Sequence, residues 1–198
     1  MKRQIVMPLM MAAAMVFASC NRHEEKVPVV TATAIDTTPT SATIATTTIV
    51  MNDPDTQFVK DSYAGLLGSI AFARTADVQA VNVAAKAYAH LVANDLDRLA
   101  NELRAIAGKK NVTLPAEAEA TIVTANEEMK RMSGKQFDQR FVQNMAGILD
   151  TLIALFDSES KIVADADLKA WTNQTLPTLR KHVAEARKVQ DTIAKAKY

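Results

Sequence analysis

Apolar residues recur every three or four positions in most of the chain after residue 52, which is the spacing of one buried face on an α-helix. Asp53 and Pro54 supply a start signal, a capping residue followed by proline at the first helical position. The apolar face of this first helix consists of Val59, Tyr63, Leu66, Ile70 and Ala73. The pattern therefore predicts a long amphipathic helix at the beginning of this region.

Three further helical stretches follow. The second is predicted from about Val78 to Ala107, ended by Gly108, with an apolar face of Val81, Ala85, Tyr88, Val92, Leu96, Leu99, Leu103 and Ile106. The third starts after Pro115, is interrupted at Ser133 and Gly134, and resumes with Phe137, Phe141, Met145, Leu149, Leu152 and Phe156. The last begins near Asp165, with a face of Leu168, Thr172, Thr175, Leu179, His182, Ala186, Val189 and Ile193. Four long amphipathic helices with short links predict an all-α protein, with a four-helix bundle over residues 53–198.

The N-terminus has a different pattern. Two basic residues precede an apolar stretch from Ile5 to Phe17, and two small residues separate that stretch from Cys20. This is the pattern of an export signal, and the stretch is shorter than the roughly 20 apolar residues of a membrane-spanning helix. Residues 16–20 (VFASC) resemble the lipobox of bacterial lipoproteins, although Phe17 stands where leucine is commoner. We therefore expect a lipoprotein signal peptide over residues 1–19.

Cys20 is the only cysteine of the chain, so it has no internal disulfide partner. Lipidation explains this thiol, because the lipobox cysteine carries a diacylglyceryl group. The alternative is a cysteine inside an ordinary cleaved signal, which is lost on maturation. The expected cofactor chemistry is thus limited to covalent lipid on Cys20, and the expected membrane contact is this lipid anchor.

Residues 20–52 are predicted to form a tether. The part from Val30 to Val50 contains nine threonines and no aromatic residue, so it has little apolar surface to bury. Alternation in residues 30–34 is compatible with a strand, but an isolated strand has no sheet to join. We expect a flexible, Thr-rich segment that holds the helical domain away from a membrane.

Charge excludes one class of function. The chain has 23 basic and 22 acidic residues, and removal of residues 1–19 takes away only Lys2 and Arg3. An electrostatic nucleic-acid binder needs a clustered basic excess, so we predict no nucleic-acid partner. The sequence also has no glycine-rich phosphate loop, nucleophile elbow or zinc-protease helix.

Four segments in order resemble a bacterial family of unknown function, described as predicted outer-membrane proteins or lipoproteins with a ferritin-like four-helix bundle domain. They are residues 55–59 (DTQFV), 109–115 (KKNVTLP), 133–138 (SGKQFD) and 176–182 (LPTLRKH), and the likeness covers residues 55–194. The resemblance implies a ferritin-like fold and a place in the cell envelope, with the outer membrane favoured.

The resemblance also implies ligand positions, and most of them have changed here. Members usually carry a Glu on the first helix, an Asp-His pair on the second, a His on the third and a His after Leu-Pro on the fourth. The corresponding residues are Ser69, Asp95 with Leu96, Leu149 and His182. A leucine cannot bind a metal, so we predict a degenerate, metal-free domain whose Leu96 and Leu149 are core residues.

Two interpretations of the remaining polar residues stay open. His182 is either a neutral core histidine bonded to an acid or carbonyl, or a remnant metal ligand with Asp95 and Glu159, with Asp150 as a further candidate. Asp95 is otherwise expected on the helix surface or paired with Lys or Arg of an adjacent helix. His90 falls off the apolar face of its helix, and His23 lies in the tether.

These observations favour a non-catalytic envelope lipoprotein that acts through an envelope protein partner or as a structural element. The competing hypothesis is a metal-binding ferritin-like protein or oxidoreductase with a rebuilt site near His182. A small apolar ligand between helices is a third possibility, which no feature of the sequence singles out. No catalytic residue is predicted.

Overall fold

The computed structural model describes residues 50–198, which contain five helices and no strand. The helices are α1 (Asp53–Gln79), α2 (Val83–Lys109), α3 (Ala120–Lys130), α4 (Gly134–Glu159) and α5 (Ala166–Lys195). The prediction of an all-α protein is confirmed for this part of the chain. The predicted signal peptide, Cys20, His23 and most of the tether lie outside the described residues. None of the five helices combines the length and apolar character that crossing a membrane requires.

The helix boundaries correct the sequence interpretation in detail. The capping residue of α1 is Asn52, whose side chain accepts the Asp55 amide at 2.8 Å, rather than Asp53. The second helix begins at Val83 and not near Val78, because Asn82 caps it by accepting the amides of Ala84 and Ala85.

The predicted buried faces are confirmed with one exception. Every member of the four apolar faces is buried except Val81, which is 60% exposed and lies in the turn before α2. The third stretch divides at Ser133 and Gly134 as expected, with Gly134 at φ +56°, a backbone conformation that favours glycine. Its first part is the short helix α3.

Hydrogen bonds at the helix ends fix the directions of the helices. At one end, here called the base, Asp55 at the start of α1 accepts the amides of Ala164 and Asp165 just before α5. Lys110, directly after α2, forms an ion pair with Asp165 at 2.6 Å. The starts of α1 and α5 therefore meet the end of α2 at the base.

At the opposite end, here called the tip, Asp138 near the start of α4 accepts the amides of Val81 and Asn82 between α1 and α2. The Tyr198 hydroxyl, just beyond α5, donates to the same carboxylate at 3.0 Å. Helices α1 and α5 thus run from base to tip, while α2 and α4 run from tip to base. Residues 111–133 return the chain from the base to the tip, and α3 in this segment contacts α1 and α4.

The core lies between the four long helices. Helix α1 packs on α2 and α4, and α5 packs on the same two helices. Two aromatic groups fill the interior, one of Phe58, Phe156 and Trp171 and one of Phe72, Phe141 and Tyr88. Gly65 permits a close approach of α1 and α4, since a Cβ atom there would lie 2.8 Å from Leu152 Cδ2. These residues belong to one compact unit, Ala45–Tyr198.

Candidate functional site

Eight polar residues are buried in the helical domain and are candidates for a functional site. The buried polar residues are Asp55, Ser62, Ser69, Asn126, Asp138, Thr172, Thr175 and His182. Asp55 and Asp138 accept backbone amides at the base and the tip, so they have a structural role. Thr172 and Ser69 bond to carbonyls of their own helices. His182 is the remaining residue whose ring can accept a proton or bind a metal near neutral pH.

His182 forms a pair with Asp95 across the contact of α2 and α5. Its Nε2 atom lies 2.9 Å from Asp95 Oδ2, with side-chain exposures of 1% for the histidine and 31% for the aspartate. An ionised carboxylate has no hydrogen to donate and can only accept a hydrogen bond. In this contact Nε2 of His182 therefore carries the hydrogen and donates it. The pair therefore has a buried member in the core and an accessible member at the surface.

Tyr88 completes the local arrangement. Its hydroxyl donates to the His182 carbonyl oxygen at 3.1 Å, and the two ring centroids are 6.4 Å apart. Burial raises the pKa of the Tyr88 phenol, with a smaller contribution from the charge of Glu185. The phenol is therefore a permanent donor near neutral pH, and it holds this turn of α5 against α2.

Burial lowers the pKa of His182, and the neighbouring Asp95 carboxylate opposes this shift. The imidazole is consequently neutral at pH 7, with the hydrogen on Nε2 and a lone pair on Nδ1. Nδ1 has no hydrogen-bond partner among residues 50–198. Ser62, Asn126, Trp171 and Thr175 also have buried polar atoms without partners there. The unpartnered Nδ1 is thus chemically able to bind a metal. Buried polar atoms without a partner also occur elsewhere in this core, so its state alone does not mark a site.

The other candidate ligands do not join the pair. Glu159 is half-buried near the end of α4, where its carbonyl oxygen accepts the amides of Ile162 and Val163. Asp150 is exposed and lies 3.8 Å from Arg187. Within the described part of the chain, no three His, Cys, Asp or Glu side chains are grouped to hold a metal ion.

Asp95 lies at the surface, one of the two environments predicted for it, with its side chain 31% exposed. Its close partner is His182 and not a lysine or arginine of an adjacent helix. Arg98 on the same helix also lies near it, at 3.9 Å. His182 has the acid partner expected of a core histidine, and His90 is exposed on α2, as its position predicts.

The substituted positions are occupied by core packing. Leu96 and Leu149 are completely buried. Ser69 is also completely buried, and its hydroxyl donates to the Gly65 carbonyl at 2.7 Å. The ligand set implied by the resemblance therefore does not fit this chain, because two apolar side chains and a satisfied hydroxyl stand where N and O ligands would be needed.

A groove between α3 and α4 is a feature that the sequence did not predict. It has a volume of about 370 Å³ and an apolar lining that includes Ile122, Ala125, Ile148 and Leu152. Gly147 contributes to the opening, since nothing lies within 4 Å of where its Cβ would be. The groove has room for a small apolar ligand, and it is formed by the connecting helix rather than by the His182 pair.

Comparisons with known proteins give one match. Residues 39–189 match the family described as Domain of unknown function (DUF4142). No curated protein and no solved structure matches the chain. The matched segment includes α1 to α4, most of α5 and both members of the His182–Asp95 pair. On this match the chain belongs to the DUF4142 family.

Proposed function

We propose that this protein is a lipid-anchored component of a bacterial envelope whose helical domain acts through partner or structural contacts and not by catalysis. We place the anchor on Cys20 and the protein in the outer membrane, facing the periplasm or the cell surface. The domain is proposed to be a ferritin-like four-helix bundle that has lost its metal site.

The helix directions support the ferritin-like assignment. Helices α1 and α5 run from base to tip and α2 and α4 run from tip to base, with one long return segment between α2 and α4. Ferritin-like bundles have one such long crossover between their two helical hairpins. The short helix α3 lies within this crossover.

The main support for the proposed loss of the metal site is the packing at Leu96 and Leu149. Both side chains are completely buried, and each buried leucine stabilises the folded state by about 1.5–3 kcal/mol. First-row metals in proteins generally need several N, O or S ligands, whereas His182 and Asp95 supply two. A helical bundle without these ligands fits a protein that presents surfaces to a partner.

Metal content tests this proposal. The unit Ala45–Tyr198, purified without chelator and then incubated with Fe(II), Mn(II), Zn(II) or Cu, is expected to hold well below one metal ion per chain. Elemental analysis after gel filtration is the measurement, and His182→Ala is the matched variant. Near-stoichiometric metal in the parent that is lost in His182→Ala would contradict the proposal.

That contrary result would support the second candidate, a metal-binding ferritin-like protein with a rebuilt site. The observation in its favour is the buried Nδ1 of His182, which is unpartnered among the described residues and carries a free lone pair. Glu159 would have to move to join His182 and Asp95 in such a site.

The anchor is tested separately by Cys20→Ala. We expect this variant to move from the membrane fraction to the soluble fraction, because the thiol that carries the lipid is absent. Cell fractionation with immunodetection is the measurement, and Thr38→Ala in the Thr-rich segment is a control that should remain with the membrane. Unchanged partition of Cys20→Ala would show that something other than lipid at this residue holds the protein.

A further inference from the structure

The tip of the helical domain exposes three valines. Val78, Val81 and Val83 are 82%, 60% and 84% exposed, and they flank the turn between α1 and α2. Large apolar side chains at this exposure gain nothing from the core, and a contiguous apolar patch on a folded protein commonly marks an interaction site. We call these three residues the valine tip.

An aromatic residue and two lysines adjoin the valine tip. Tyr198 and Lys197 line a small cleft together with Val81 and Val83, and Tyr198 is 54% exposed. Lys135 Nζ lies 5.2 Å from the centroid of the Tyr198 ring. The exposed apolar surface at the tip is therefore bordered by cationic side chains and by an amphipathic ring.

Two acidic side chains at the tip, Asp138 and Asp77, are already engaged, whereas Asp191, one turn before Lys195, is exposed. Asp138 is completely buried and accepts two backbone amides and the Tyr198 hydroxyl. Asp77 lies 3.3 Å from His90. Lys86 is exposed on the first turn of α2, and Lys195 is exposed on the last turn of α5, both at the tip. The surface around the valines therefore has a positive character.

The base provides an internal comparison. It also exposes apolar side chains, Val50 at 78% and Ile162 at 67%. Their sequence neighbours include the acids Asp53 and Glu159 and also Lys161, which directly precedes Ile162. The exposed apolar side chains at the base thus adjoin charges of both signs, whereas the acids beside those at the tip, Asp77 and Asp138, already have partners.

From this combination we propose that the valine tip docks on an anionic lipid bilayer. The three valines insert at the level of the headgroups, where apolar side chains leave water, and Lys135 and Lys197 lie against lipid phosphates. The exposed part of the Tyr198 ring lies at the interface, while its hydroxyl stays bound to Asp138. Charge complementarity selects an anionic bilayer over a zwitterionic one.

This attachment is separate from the anchor proposed at Cys20. The tip is at the end of α1 opposite to residue 52, and 27 helical residues span about 40 Å. The unit Ala45–Tyr198 lacks Cys20 and contains the whole described core, so it can be tested without any contribution from lipid on the chain.

Co-sedimentation with vesicles tests the proposal. The unit Ala45–Tyr198 is expected to bind vesicles of equal parts phosphatidylglycerol and phosphatidylcholine, and to lose most of this binding in 0.5 M salt or on pure phosphatidylcholine, since salt screens the lysines. Replacing all three valines by serine is expected to weaken binding about tenfold or more. Lys135→Gln and Lys197→Gln are expected to weaken it about fivefold each.

The matched control is the double variant Val50→Ser, Ile162→Ser, which removes equally exposed apolar side chains from the base and should bind like the parent. Each variant must first give a cooperative thermal melt by circular dichroism. Equal binding by the parent and the triple valine variant would overturn the proposal, as would absence of binding to the anionic vesicles. A concentration-dependent dimer that the triple variant abolishes, without vesicle binding, would instead identify a second copy of the chain as the occupant.

Discussion

Replacing Asp138 by alanine is expected to lower the free energy of unfolding by roughly 2–4 kcal/mol. The carboxylate is completely buried, and it accepts the amides of Val81 and Asn82 at 3.1 and 2.8 Å. Alanine would remove the partner of two backbone donors in a part-buried turn, and it would release the Tyr198 hydroxyl. Urea unfolding followed by circular dichroism is the measurement.

Two controls separate this effect from a general loss of charge. Asp138→Asn retains one acceptor oxygen, so its loss of stability is expected to be smaller. Asp150→Ala removes an exposed carboxylate from the same helix, whose partner Arg187 is 3.8 Å away, and should change the free energy of unfolding by less than about 0.5 kcal/mol. If Asp138→Ala unfolded like Asp150→Ala, the tip would not depend on this carboxylate.

The second large effect is a gain of metal binding on introducing the ligands that the resemblance implies. The triple variant Ser69→Glu, Leu96→His, Leu149→His adds three N and O ligands to Asp95 and His182, at the positions that the resemblance identifies. It is expected to hold about one metal ion per chain or more, where the parent holds much less. The polar side chains cost stability in the core, so the free variant should melt lower than the parent.

Bound metal should restore part of the stability that the triple variant loses. A ligand that binds only the folded state stabilises it by about 2.7 kcal/mol at a hundredfold excess over Kd, so Zn(II) should raise the melting temperature of the triple variant and leave the parent unchanged. The control is the same variant with His182→Ala, in which the shift should be reduced. A folded triple variant whose melting temperature ignores metal would contradict the ferritin-like placement of these residues.

More of the fold than of the candidate site could be predicted from the sequence. Helical periodicity identified the buried faces because burial repeats at regular intervals along each helix. The prediction was wrong only for Val81, which is exposed. It was counted as part of the second helix because its spacing from Ala85 is helical. The cap formed by Asn82 ends that spacing, and a local hydrogen bond of this kind is not visible in apolar periodicity.

The His182–Asp95 contact shows what periodicity cannot supply. The sequence placed both residues on long helices and suggested each as a ligand, but their distance depends on how α2 and α5 pack. Asp55 and Asp138 belong to segments that carry the resemblance, but the sequence assigned them no role, although they are among the most buried acids. Their partners lie more than fifty residues away in the chain, so only tertiary structure reveals their role.

The two buried carboxylates also bear on the order in which the protein folds. Helices α1 and α2 form one hairpin and α4 and α5 another, and each hairpin is joined by a short turn whose local contacts close quickly. Asp138 links the second hairpin to the turn of the first, while Asp55 links the first to the turn of the second. The amides that they bind become protected from hydrogen exchange only when the hairpins dock. The amides of Asn82 and Asp165 are therefore natural reporters of docking, one at each end of the molecule.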